Sequence, residues 1–185
     1  MLKLYGGARS RASIVHWYLE ELEVPYEFVK LDMQAGEHLQ PEYLAINPFG
    51  RVPGIVDGDF QLWESGAILL YLMDKYGKAP VSLEERAVIN QWVLFANSTL
   101  STAILVEANR DRQIPRLLNT LNEIFSKQTF LVGNEFTVAD VAVGSVLNYI
   151  PLVVKLDFSP YPGVLNYMKQ LANRPALQRT IGATT

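Results

Sequence analysis

The chain has 185 residues, 49% hydrophobic and 19% charged, a globular composition that suits one large domain or two smaller ones in contact. Its formal charge of −3 leaves no basic excess to neutralise a phosphate backbone, so nucleic-acid binding is not expected. It has no cysteine and only two histidines, which excludes disulfides, thiolate metal ligands and a histidine-rich metal site; any thiol chemistry must come from a bound molecule.

The absence of cysteine fits a cytoplasmic location. No apolar run approaches the ~20 residues of a membrane span, and the opening MLKLYGG reads as a strand rather than a signal peptide. Leu2 and Leu4 alternate with Lys3 and Tyr5 in that strand, and the loop GGARS follows. Its two glycines are too weak a signal for a phosphate site. Val15, Tyr18, Leu19 and Leu22 then recur at helical spacing until Pro25. A second strand is predicted over Tyr26–Leu31. Strand, helix and strand in about thirty residues imply a parallel pair with a right-handed crossover. After a polar stretch with a short helix at Pro41–Leu44 comes NPFGRVPGIVDGDFQLWES, Asn47 to Ser65.

That stretch reads as a turn, a strand, a hairpin and the start of a helix. The residue before a proline is held extended, and an X–Pro bond adopts the cis form at low cost. A cis bond at Val52–Pro53 would leave the N–H and C=O of Val52 free to pair with an extended peptide as if with an added strand. Asp57-Gly58 between apolar runs predicts the hairpin turn. Glu64 precedes Ser65, the expected N-cap of a helix reaching Tyr76 and stopped by Gly77. A carboxylate beside a helix N-terminus suits an ammonium and a carboxylate in turn. With Val52, these features fit a small peptide bearing a free α-amino acid end.

Residues 78–81 read as a linker, after which no strand pattern survives. Ser82 and Glu85 form a capping-box pattern for a long helix carrying Ile89, Trp92, Val93, Ala96, Leu100 and Ile104. Pro115 suits the first turn of the next helix. Thr137 and Asp140 predict a second capping box, with Phe136 placed for a hydrophobic staple. The apolar helix behind them, Val138–Ile150, is the expected core of a helical domain. A last amphipathic helix is expected over Tyr161–Asn173. The fold class is thus α/β plus all-α: a thioredoxin-like domain with a mixed four-stranded sheet over residues 1–77, then an all-helical domain over 82–185. His16, Trp17, Trp92 and Phe95 read as structural.

Two blocks, NPFGRVPGIVDGDFQLWESGAIL and FLVGNEFTVADVAVGSV, resemble the glutathione-binding core and the helical-domain capping segment of cytosolic glutathione S-transferases. Phe49-Gly50 followed by a basic residue is similar to the phi and theta-like branches and to the bacterial and cyanobacterial chi class. The resemblance implies a homodimer that binds glutathione as co-substrate and a small electrophile between domains, with possible substrates among isothiocyanates, aryl halides and organic peroxides. It further implies that Glu64 and Ser65 hold the γ-glutamyl end, that Val52 beside a cis Pro53 pairs with the cysteinyl unit, and that Arg51 and His38 face the glycyl carboxylate. Ser10 matches the catalytic serine when the first strand anchors the alignment. The loop lacks the usual proline, and anchoring on the helix moves the position toward Arg9 or Arg11; Tyr5 stands where tyrosine-type relatives carry a phenol. The order adopted is Ser10, Arg11, Tyr5. The chain ends soon after Ile181, which implies an open electrophile site. The alternative is a non-catalytic module of the same fold, as in the translation elongation factor gamma subunit. A disulfide-exchange reductase is disfavoured by the lack of cysteine.

Overall fold

A computed structural model describes residues 1–7, 10–77 and 82–181, with the backbone alone at 152 and 153. Arg9 and the linker at 78–81 lie outside the described residues. The order of elements is β1 (Leu2–Gly6), α1 (Ala12–Leu22), β2 (Tyr26–Lys30), a 3-10 turn (Glu37–Leu39), α2 (Pro41–Leu44), β3 (Gly54–Asp57), β4 (Phe60–Trp63) and α3 (Ser65–Tyr76). Then follow α4 (Leu83–Leu94), a π-helical segment (Phe95–Leu100), α5 (Ser101–Leu105), α6 (Glu107–Phe125), α7 (Val138–Val153), α8 (Pro162–Ala172) and α9 (Pro175–Arg179). The chain divides into two units, Met1–Pro80 with Pro175–Thr185, and Val81–Arg174.

In the first unit the strands lie in the order β2-β1-β3-β4. β1 runs parallel to β2, with Leu2 opposite Tyr26, and antiparallel to β3, with Tyr5 opposite Gly54. This is the mixed, thioredoxin-like sheet. Being interior, β1 buries Leu2 and Leu4 completely, while the edge strand β2 leaves Phe28 partly exposed. Ala12, Val15 and Leu19 of α1 and Ile68 and Leu72 of α3 fill the core against Leu4 and Ile55. His16 sits between the rings of Tyr26 and Phe28, 5.6 and 5.1 Å away, and burial lowers its pKa against the pull of Glu20. Helix α9, expected with the helical domain, groups instead with this unit: Ala176 and Leu177 are buried, and Arg179 Nε donates to Glu20 Oε2 at 2.9 Å.

The hairpin differs from the prediction by one residue. Asp57 pairs with Phe60, so the turn residues are Gly58 and Asp59, and of the two only Gly58 has positive φ. Asp57 stays in the strand because its carboxylate Oδ2 accepts from Tyr71 Oη (2.9 Å), Lys75 Nζ (2.7 Å) and Tyr76 Oη (2.7 Å), which fastens the hairpin tip to the end of α3.

In the second unit Ser82 caps α4, accepting from the Glu85 N–H at 3.1 Å. The long helix expected beyond it is interrupted by the π-helical turn. There the Ser101 hydroxyl donates to the Ala96 carbonyl at 2.7 Å, five residues back, as a widened turn allows. Pro115 lies inside α6 rather than in its first turn. The preceding residues, Glu107 to Gln113, are almost all polar, so apolar periodicity could not reveal them as helix. Helix α7 is buried on nearly every side, as an all-round apolar helix must be. Its capping box forms around Asp140, which is 0% exposed. Asp140 Oδ2 accepts from the Thr137 N–H (2.9 Å) and hydroxyl (3.2 Å), and Oδ1 accepts from the Leu131 N–H (3.0 Å) and the Tyr167 hydroxyl (2.9 Å). Phe136 meets the ring of Phe130 and the guanidinium of Arg174. Among the described residues no helix is long and apolar enough to cross a membrane.

Candidate functional site

The site is built at one end of the sheet. Since Gly54 pairs with both Tyr5 and Trp63, the segments just beyond these residues, Val52-Pro53, Gly6-Gly7 and Glu64-Ser65, leave the strands at the same end. Asn47 shapes the loop leading in. Its Oδ1 accepts from the Phe49 N–H at 3.1 Å, its carbonyl accepts from the Gly50 N–H at 2.9 Å, and its Nδ2 donates to the Arg51 carbonyl at 2.7 Å. Tyr43 donates its hydroxyl to the same carbonyl at 2.6 Å. Gly50 is required here: its φ is +58°, and a Cβ would meet Leu39 Cδ2 at 2.7 Å.

Val52 follows, half-buried and outside the ladder, and the Val52–Pro53 bond is cis. Among the described residues the N–H and C=O of Val52 have no backbone partner. At the other side of the site, Glu64 is exposed and takes φ 72°, ψ 114°, a conformation that costs a side-chain-bearing residue ~1–3 kcal/mol and is met mainly at functional sites. It occupies the N-cap of α3, makes no side-chain cap, and accepts from the Ile68 N–H through its own carbonyl at 2.9 Å. Ser65, expected as the cap, is the first helical residue and is 3% exposed. The first-turn N–H groups of α3 have no partner inside the helix, so an anion-attracting end lies next to a carboxylate.

Arg11, at the start of α1, is exposed. Desolvation lowers its pKa and the nearby Glu64 charge raises it, and a guanidinium remains protonated under either influence. Ser10 is half-buried and bridges the loop to α1: its hydroxyl donates to the Gly7 carbonyl at 2.8 Å and accepts from the Ala12 N–H at 3.3 Å. Its single proton is therefore committed, and serving a thiolate would require exchanging that bond. Tyr5 is half-buried, with its ring centroid 5.8 Å from that of Tyr43. His38 lies on the 3-10 turn; its Nδ1 is buried and has no hydrogen-bond partner among the described residues, and its carbonyl lies against Gly50. Arg51 carries an exposed side chain while its carbonyl is the loop's anchor.

The structure thus gathers Val52, Pro53, Glu64, Ser65 and Arg11, and puts His38 beside the loop of Arg51. Sequence reasoning missed Tyr43 and the side chain of Asn47. The available signal was the Asn47-Pro48 turn itself, since an asparagine side chain there bonds the backbone two residues on, with Tyr43 in the short helix α2 four residues before it. Among the described residues no cluster of histidine and carboxylate side chains could hold a metal ion.

Residues 1–74 match the family model described as glutathione S-transferase, N-terminal domain, and residues 65–175 match that for the C-terminal domain. The chain is 32% identical to glutathione S-transferase GstB of Escherichia coli K12, over 88% of each protein. Similar solved structures include the glutathione transferase URE2P6 of Phanerochaete chrysosporium in complex with oxidised glutathione (31% identity, TM-score 0.83, 99% of this chain and 96% of that one). Another is glutathione transferase E6 of Drosophila melanogaster (27% identity, TM-score 0.85, 100% and 92%).

Proposed function

Because the chain belongs to the glutathione S-transferase family, we propose that its first unit binds glutathione and activates the thiol for transfer to small hydrophobic electrophiles. The observation that carries this reading is the pair of unpartnered backbone groups at Val52, at the same end of the sheet as a strained Glu64 and the open N-terminus of α3. The γ-glutamyl ammonium goes to Glu64 and its carboxylate to Ser65 and the α3 N–H groups. The cysteinyl unit pairs with Val52 beside Pro53. The glycyl carboxylate meets His38 and Arg51.

Activation is assigned first to Ser10, supported by the N-terminus of α1 and by the charge of Arg11. A cysteine-type thiol with a pKa near 8.5 is about 3% ionised at neutral pH, and lowering that pKa by two units takes ~2.7 kcal/mol. A hydrogen bond to the anion supplies ~1.5–3 kcal/mol, but Ser10 first gives up a neutral bond to Gly7 worth ~0.5–1.5 kcal/mol. The hydroxyl alone therefore falls short. A helix N-terminus adds about 0.3–1 kcal/mol, or up to ~2 kcal/mol when partly buried, and a cation near the sulfur supplies the rest. Even complete ionisation gains only about thirtyfold, so further rate comes from positioning the electrophile.

The thiolate then adds to the central carbon of an isothiocyanate, whose nitrogen takes the proton, or replaces the halide of an activated aryl halide, which leaves with its electron pair. With an organic peroxide the sulfur attacks oxygen, the O–O bond breaks, the alkoxide takes a proton, and a second glutathione closes the disulfide with release of water. We assign this activity to a cytoplasmic homodimer; a monomer in light scattering would remove that part of the assignment.

The test is calorimetric titration with glutathione, followed by thiolate absorbance of the bound ligand against pH and turnover of an aryl halide. Saturable binding with a bound thiol pKa about one to two units below that of the free ligand is expected. No binding at millimolar concentration refutes the reading. Binding without ionisation or turnover would instead assign a non-catalytic glutathione-binding module.

A further inference from the structure

We propose that Tyr43 and Asn47 are positioning residues that aim the Val52 N–H at the bound peptide by gripping the carbonyl on the other side of the same peptide unit. The proposal rests on the glutathione reading above and adds to it the device that sets the pairing geometry. The Arg51 carbonyl accepts from Tyr43 Oη at 2.6 Å and from Asn47 Nδ2 at 2.7 Å, which occupies both of its lone pairs. Both donors belong to buried residues, each 3% exposed, so the carbonyl is drawn inward. Among the described residues the only cis bond is Val52–Pro53, so the Arg51–Val52 unit is trans and planar. In a trans unit the C=O and N–H point in opposite directions. Pulling the Arg51 carbonyl in thus turns the Val52 N–H out, where among the described residues it has no backbone partner.

Two further contacts hold Tyr43 in place. Its ring lies against that of Tyr5, and a Cβ on Gly54 would stand 3.0 Å from its hydroxyl, so the residue is wedged between β1 and the first residue of β3. Burial pushes its phenol up to about 12, so the hydroxyl remains a proton donor throughout the physiological range. Asn47 is held by the bond that Phe49 makes to its other side-chain atom. The device is therefore set before any ligand arrives, and removing one donor leaves the carbonyl plane free to rock about the other.

The experiment compares the full-length protein with Tyr43→Phe, which removes the hydroxyl and keeps the ring against Tyr5. Three quantities are read: affinity for glutathione and for S-methylglutathione, KM for each substrate, and amide exchange along residues 47–54. Loss of one neutral hydrogen bond predicts affinity about threefold to tenfold weaker. The factor should be equal for the two ligands, because the contact is to backbone rather than sulfur. KM for glutathione should rise by that factor, with KM for the electrophile and kcat changed by less than about twofold. Exchange should quicken at Phe49 and Gly50 but not in β1 or α3. Asn47→Ala provides the second route if Tyr43→Phe does not fold, and should weaken both ligands equally. Unchanged affinity in a folded variant overturns the proposal, as does faster exchange spread over the whole first unit, the mark of a merely structural role. If the unaltered protein binds no glutathione, the ligand reading fails. The gripping device is then judged by exchange alone and falls if residues 47–54 are unaffected.

Discussion

Glu64 is where stability and function should separate most cleanly. A side chain at φ 72°, ψ 114° costs ~1–3 kcal/mol. Replacing Glu64 by glycine releases that strain; replacing it by alanine keeps the Cβ and the strain. Both replacements remove the carboxylate and its charge interaction with Arg11, so that loss cancels in the comparison. Glycine also loses more backbone entropy on folding, about 0.5–1 kcal/mol relative to alanine. The difference leaves Glu64→Gly more stable than Glu64→Ala by about 1 kcal/mol, the reverse of the usual order of these residues. For a chain of 185 residues this is a rise in Tm of about 2–4 °C, readable by calorimetry. Both variants should bind glutathione about tenfold more weakly, since the ammonium partner is gone in each. A glycine variant less stable than the alanine variant would show that position 64 carries no strain. Undiminished glutathione affinity in either would remove Glu64 from the ligand.

Two other replacements test one buried or fastening carboxylate in each unit. Asp140→Ala strands the Leu131 and Thr137 N–H groups and the Tyr167 hydroxyl in a closed interior, and should cost about 3–5 kcal/mol by urea denaturation. Asp140→Asn, which keeps one acceptor oxygen, should cost about half as much; an alanine variant within ~1 kcal/mol of the unaltered protein would refute the role assigned to the carboxylate. Asp57 has its pKa lowered: desolvation raises it, and the hydrogen bonds from Lys75, Tyr76 and Tyr71 together outweigh that. A depressed folded value means that its stabilisation is present above the unfolded pKa of about 3.9 and is lost as pH falls through the folded value. The gap in urea midpoint between the unaltered protein and Asp57→Asn should therefore be widest above about pH 4 and narrow as the pH falls below that, through the depressed value; a gap independent of pH would contradict the assignment.

Local chemistry made much of the molecule legible. Alternation at Leu2–Tyr5, the apolar spacing of α1 and α3, Gly77 as a stop and the Thr137–Asp140 cap are properties of neighbouring residues, and each appears where the sequence places it. The misreadings arose where distant partners decide. Asp57 belongs to the strand because Tyr71, Lys75 and Tyr76 reach it from α3, which moves the turn one residue on. The start of helix α6, well before Pro115, was hidden for another reason: its first turns are polar and carry no apolar stripe. Helix α9 joins the first unit through buried Ala176 and Leu177 and through Arg179 on Glu20, contacts that sequence order cannot suggest.

The sequence by itself determined which groups this protein has for chemistry: no thiol of its own, a proline after Val52, and an acid at the mouth of a helix. These follow from residue identity and from steric rules that act over a few residues. Only the tertiary structure decided which way those groups face. The direction of the Val52 N–H depends on Tyr43 and Asn47 holding the carbonyl behind it, and the proton of Ser10 is committed to Gly7 by the fold of a loop. Hydrogen bonds are directional, and a direction is fixed only when both partners have been brought to their places.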